Sequence, residues 1–115
     1  MAGEYFVVEG GHQLDGTLTP QGAKNEALQI LCAAVLTEET VTVSNVPDIV
    51  DVRRLIKLIK GLGATVERPE TNTYRIQAKD IDLEYSSTPE YQKHASRIRG
   101  SVMLMGVMLA RFGKA

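Results

Sequence analysis

What most constrains this chain is the order in which its hydrophobic periodicity changes between residues 13 and 78. Leu14, Gly16 and Leu18 alternate with polar neighbours, the period of a half-buried strand. Thr19-Pro20-Gln21-Gly22 breaks the pattern. Residues 25–36 are then mostly strong helix formers, and Ala27, Leu28, Ile30, Leu31, Ala33, Ala34 and Val35 wrap more than half the circumference, which predicts a deeply buried helix. Val41, Val43 and Val46 return to period two, and Pro47 ends that strand. Asp48 is a natural N-cap for a second helix, whose apolar positions Ile49, Val52, Leu55, Ile56 and Ile59 follow the 3.6 period until Gly61 and Gly63 stop it. Its cations Arg53, Arg54, Lys57 and Lys60 lie off that stripe and make a solvated face. Residues 64–68 and 73–78 alternate on either side of Pro69-Glu70-Thr71-Asn72, the pattern of a hairpin. The order strand, helix, strand, helix, strand, strand specifies a mixed α and β domain of the α+β class.

The flanks are less regular. Tyr5–Val8 is β-prone and, after Gly10-Gly11, pairs with the strand at residues 14–18. Residues 81–83 read as a short extended piece, and Ser86-Ser87-Thr88-Pro89 as the start of a helix. A last helix is predicted from near His94 to Phe112, apolar nearly all round after Val102, closed by Gly113, with Met103, Met105 and Met108 filling the core. At 115 residues the chain makes one domain at most, and a fully packed one leaves roughly 6,200 Å² of surface exposed. The chain ends directly after its apolar helix, which reads as a cut and would leave apolar faces through which the piece could self-associate.

Several function classes are excluded early. One cysteine, Cys32, permits no internal disulfide, and no Cys/His spacing resembles a zinc site. The N-terminus carries Glu4 and no basic segment, unlike a secretory signal, and the longest apolar stretch, residues 102–110, is too short to span a bilayer. A cytoplasmic, soluble protein without a membrane partner is therefore expected. The net charge of −1 argues against a nucleic-acid partner. Charge is nonetheless uneven: residues 91–115 hold Lys93, Arg97, Arg99, Arg111 and Lys114 and no acid, so this last quarter attracts anions.

Chemistry concentrates at Pro20-Gln21-Gly22-Ala23-Lys24-Asn25-Glu26-Ala27. Glycine where a strand gives way to a helix permits unusual backbone angles and close approach of a ligand, the first helical N–H groups favour an anion, and Lys24 adds a full charge. A Walker loop is absent. Cys32, among Leu28, Leu31 and Val35, reads as an inert core thiol, His12 as a turn residue and His94 as a helix-start or surface residue.

Taken together, Val8-Glu9-Gly10, Leu14-Asp15-Gly16, Gly22-Ala23-Lys24-Asn25-Glu26-Ala27-Leu28, Asn45-Val46-Pro47-Asp48, Leu62-Gly63-Ala64, and the run from Arg99-Gly100-Ser101 to Ala110-Arg111-Phe112-Gly113 resemble the enolpyruvyl transferases over the whole chain. The resemblance implies two domains, each an inside-out α/β barrel of three strand-helix-strand-helix-strand-strand units. Residues 1–21 would give a strand pair belonging to the other domain, and residues 22–115 the opening part of one barrel. It implies transfer of the enolpyruvyl group of phosphoenolpyruvate to the 3-hydroxyl of UDP-N-acetylglucosamine, with phosphate released and no cofactor or metal required. The Lys24-Asn25 pair is similar to the branch acting on the UDP-sugar. By the same resemblance Lys24 and Asn25 bind phosphoenolpyruvate and the sugar, and Arg99 binds UDP-N-acetylglucosamine. The proton donor, a cysteine or an aspartate, lies past Ala115, so this chain holds no catalytic residue and is inactive alone. Two other classes share features with it. A nucleic-acid-binding module can have the same element order, but the second glycine of a KH clamp and an RNP aromatic pair are missing. A non-catalytic anion-binding protein is the other alternative.

Overall fold

The computed structural model describes residues 3–98 and 101–115. Four α-helices and one three-stranded sheet are present among the described residues: α1 Lys24–Ala33, β1 Thr40–Val43, α2 Val50–Gly61, β2 Thr65–Glu70, β3 Thr73–Gln77, α3 Pro89–Ala95 and α4 Ser101–Phe112. Short 3-10 turns follow α1 at Ala34–Leu36 and precede α3 at Tyr85–Ser87. This is the expected mixed α/β class.

The sheet is antiparallel in the order β1-β3-β2. Its register explains its two faces. Val41 and Val66 both pair with Ile76, and Val43 with Tyr74, which aligns apolar side chains toward the helices. Thr42 and Glu67 both pair with Arg75 on the other face, where Arg75 Nη1 donates to Glu67 Oε2 at 2.9 Å. Pro69, which cannot donate to a ladder, sits in edge strand β2 inside the irregular stretch between Glu67 and Glu70.

The core joins α1, α2, α4 and the inner sheet face. Leu28, Leu31 and Val35 meet Val52, Leu55, Leu58 and Ile59 of α2, with Ile76, Leu104 and Met108 in the same cluster. Helix α2 ends as the glycines predict: Gly63 takes φ +110°, and a Cβ there would lie 2.3 Å from the Asp80 carbonyl oxygen. At Gly61 the missing side chain admits the ring of Tyr85, which stands edge-on to Tyr91 of α3.

Four expectations need correction. First, no strand forms at residues 5–8 or 14–18: Tyr5, Phe6, Val7, Val8, Leu14 and Leu18 are all exposed. A lone two-stranded ribbon has no layer on which to bury its apolar face, so alternation alone cannot hold it. This arm raises the radius of gyration to 18.1 Å, where a compact chain of this length has about 13 Å, and contributes to an accessible surface of 8354 Å². Second, Asp48 does not cap α2. Ile49 occupies the cap without a side-chain bond, while Asp48 is drawn off by Arg53 Nε at 3.4 Å and Arg68 Nη2 at 3.3 Å. Third, residues 81–83 make no strand; the segment is held by a bond from Asp82 N to the Leu62 carbonyl at 2.7 Å rather than by a ladder. Fourth, the last helix is two helices. α3 has Thr88 as a true N-cap and Pro89 in its first turn, and Ser101 Oγ donates to the Ala95 carbonyl at the end of α3, across the break. The break leaves Val102, Met103, Met105 and Leu109 of α4 exposed, so of the three methionines only Met108 fills the core.

Candidate functional site

The start of α1 is built by close packing. A Cβ on Gly22 would lie 1.9 Å from the Asn45 carbonyl oxygen and 3.1 Å from Pro47 Cδ. Only glycine lets the chain pass under that carbonyl, which itself is turned by Asn45 at φ +55° and fixed by the bond from Val46 N to the Asn72 carbonyl. The sequence reading expects this glycine to admit a ligand; in the structure it admits the chain's own Asn45 carbonyl. Ala23 is the N-cap and offers no side-chain acceptor, so the first turn of α1 is open to an external anion.

Lys24 and Asn25 are the first two residues of α1, and both are exposed. Lys24 is not a loose surface cation. Its Nζ lies 2.7 Å from Asp51 Oδ2 in the first turn of α2, with the two side chains 55% and 32% exposed. The hydrogen bond from Lys24 holds the Asp51 carboxyl below the usual carboxylate range; partial desolvation opposes this, and the charges of Lys24 and Arg54 assist it. Asp51 is the residue that sequence reasoning missed. Its signal was an acid in the first turn of a helix, a position usually explained by the helix dipole alone.

Arg99, the third predicted site residue, lies outside the described residues. Its neighbour in sequence Arg97 is exposed, with its backbone N–H bonded to the His94 carbonyl, in keeping with a solvent-facing arginine. The hollow beside α1, about 110 Å³, is lined by Gly22, Glu26, Ile30, Ser44 and Asn45 and includes neither Lys24 nor Asn25. Glu26 makes it unsuited to an anion, whereas the first turn of α1 has no side-chain cap on its N–H groups. Cys32 is fully buried, and burial pushes its thiol up to about 12, which suits an inert core position. His12 approaches Glu9 at 4.0 Å on the exposed arm, and His94 sits in the last turn of α3. Among the described residues no three His, Cys, Asp or Glu side chains gather as a metal site, and no helix is long and apolar enough to cross a membrane.

Comparison with known proteins gives this geometry a lineage. The family model described as EPSP synthase (3-phosphoshikimate 1-carboxyvinyltransferase) matches residues 8–115. A UDP-N-acetylglucosamine 1-carboxyvinyltransferase of Bacteroides thetaiotaomicron is 54% identical over 110 residues, covering 96% of this chain and 25% of the relative. The Porphyromonas gingivalis protein of the same name is 44% identical over the same share of each. Among solved structures, the enolpyruvyl transferase NikO from Streptomyces tendae matches with a TM-score of 0.70 and 27% identity, over 90% of this chain and 23% of its own. The chain spans about a quarter of the length of these relatives. A match of this extent, on the fold just described, shows that the chain belongs to the EPSP synthase family of enolpyruvyl transferases.

Proposed function

We propose that this chain is the opening part of an enzyme that transfers the enolpyruvyl group of phosphoenolpyruvate to the 3-hydroxyl of UDP-N-acetylglucosamine, the first committed step of peptidoglycan precursor synthesis. In this reading residues 22–115 begin an inside-out α/β barrel, residues 1–21 pair with strands of a second domain, and the reaction runs on soluble substrates in the cytoplasm. The observation that carries the proposal is the exposed Lys24-Asn25 pair on an uncapped helix start. The names and identities of the relatives support the choice of acceptor.

The chemistry demands such a site. Protonation at C3 of the enol makes C2 electrophilic, and the sugar 3-oxygen bonds to C2 as its own proton leaves; the C2–O bond to phosphate then breaks and C3 gives back a proton, which restores the C2=C3 double bond and releases phosphate. Phosphate and carboxylate charges must be held together throughout, in a place where preorganised cations and N–H groups act most strongly. Lys24 and the first turn of α1 supply such groups for phosphoenolpyruvate. Asn25, with two donors and an acceptor, suits the hydroxyl-rich sugar. Arg99 offers a planar fork for the nucleotide sugar.

The test uses the enzyme that carries these residues, supplied with both substrates and assayed for phosphate release. Lys24→Ala should abolish most turnover, and Asn25→Ala should weaken nucleotide-sugar binding by calorimetry. Near-normal phosphate release by Lys24→Ala would refute the assignment. The 115-residue chain alone should release no phosphate.

A further inference from the structure

Two charged side chains from different helices meet where α1 and α2 begin. Lys24 Nζ and Asp51 Oδ2 are 2.7 Å apart, a charge-assisted hydrogen bond. As a stability device such a pair is weak, because solvent screens exposed ion pairs and the ordering of two side chains opposes them. As a positioning device it is effective. A lysine side chain carries large rotamer entropy, and an anchored ammonium has already given up much of it before a ligand arrives. An ammonium has three donors, so one bond to Asp51 leaves two for an incoming anion.

The other charges nearby do not share this task. Asp48 is held by Arg53 and Arg68. Glu26 lines the adjoining hollow. Arg54 adds only its field to Asp51. Among the described residues, Asp51 is the acid bonded to Lys24.

We infer that Asp51 is a positioning residue for Lys24: it fixes the ammonium between the first turns of α1 and α2, so that two N–H donors face the phosphorylated donor substrate. This rests on the reading of Lys24 given above. Asp51 itself touches no reacting atom. Its removal leaves the cation in place but lets it swing, and the cost falls on the step in which the anion must be held in register.

The experiment is a double-mutant cycle in the enzyme that carries this chain. Asp51→Ala should lower kcat/KM for phosphoenolpyruvate by about 10- to 100-fold, the scale of a misplaced catalytic contact, and leave KM for the nucleotide sugar within about twofold. Asp51→Asn, which keeps an oxygen acceptor at the same place, should recover most of that loss. In a Lys24→Ala background, Asp51→Ala should cost nothing more. Additive losses, equal effects on both substrates, or an Asp51→Ala enzyme of normal efficiency would overturn the inference while leaving Lys24 as an anion ligand. Normal turnover by Lys24→Ala would instead remove the reading beneath it. A separate arm is independent of catalysis: carbon NMR should show the Asp51 carboxyl titrating higher in Lys24→Ala than in the parent protein. An unchanged titration would show that the pair does not form.

Discussion

Arg111 makes the most demanding structural prediction. It is a cation in the last turn of an otherwise apolar helix, and its side chain is only 11% exposed. Its Nη1 donates to two backbone carbonyls, Val35 at 2.8 Å and Ala78 at 2.6 Å, one in the 3-10 turn after α1 and the other just past β3. Phe112 packs on the guanidinium, with Cζ 4.7 Å from the ring centroid. Nη2 also faces Glu38 at 3.7 Å, but Glu38 is 70% exposed, so that pair adds little. A hydrogen bond from a charged donor contributes about 1.5–3 kcal/mol, so two sum to about 3–6. Some recovery by water at the bared carbonyls lowers the expected loss in Arg111→Met to about 3 kcal/mol. With a urea slope of about 1.5 kcal/mol/M, the unfolding midpoint should fall by about 2 M. Arg111→Lys, which keeps charge without the fork, should lose about half as much, and Glu38→Ala less than about 0.5 M. A shift below about 0.5 M in Arg111→Met, or an equal shift in Glu38→Ala, would refute the view that the two carbonyl bonds clamp α4.

Two further predictions follow from packing and burial. Gly22→Ala places a methyl 1.9 Å from the Asn45 carbonyl, and displacing that backbone should cost about 2–3 kcal/mol by urea denaturation; a loss under about 0.5 kcal/mol would show that the two segments separate freely. The Cys32 thiol has its folded pKa raised from 9.0 to about 12. The unfolded chain therefore releases this proton first, and stability present in full below about pH 9 falls as pH climbs toward 12. Tyr91, also raised by burial, adds its share only above its ordinary 10.0. The urea midpoint should thus decline between about pH 9 and 10, before Tyr91 contributes, in the parent and much less in Cys32→Ala; equal slopes would contradict the assignment.

The legible parts of this fold are those whose signal is local. Helix α2 could be read from Val52, Leu55, Ile56 and Ile59, and the β2–β3 hairpin from alternation around Thr71-Asn72, because each pattern fixes its own apolar face. Misreadings arose where a distant partner decides the outcome. Residues 5–8 and 14–18 have strand-like alternation, but a strand exists only beside another that pairs with it and over a layer that covers it. Asp48 has the chemistry of a cap, and two arginines, one on β2, take its carboxylate first. The site shows the same division. The open helix start with Lys24 and Asn25 was visible, because Pro20 and Gly22 mark it. Asp51 was not, since nothing in the order of residues says which acid will face that lysine.

Its position nevertheless follows from the core. Lys24 stands four residues before Leu28, and Asp51 four before Leu55, so each charge shares a helix face with a buried leucine one turn on. Leu28 and Leu55 belong to one packed cluster as α1 lies against α2. Setting those two leucines in register brings the preceding turns side by side, and with them one cation and one anion at the exposed rim. The ion pair adds little to the energy of that packing, yet the packing determines where the ammonium sits. The hydrophobic contact between the helices therefore carries the geometry of the end where Lys24 and Asp51 meet, and Gly22, by letting the chain pass under Asn45, sets the point from which α1 enters it.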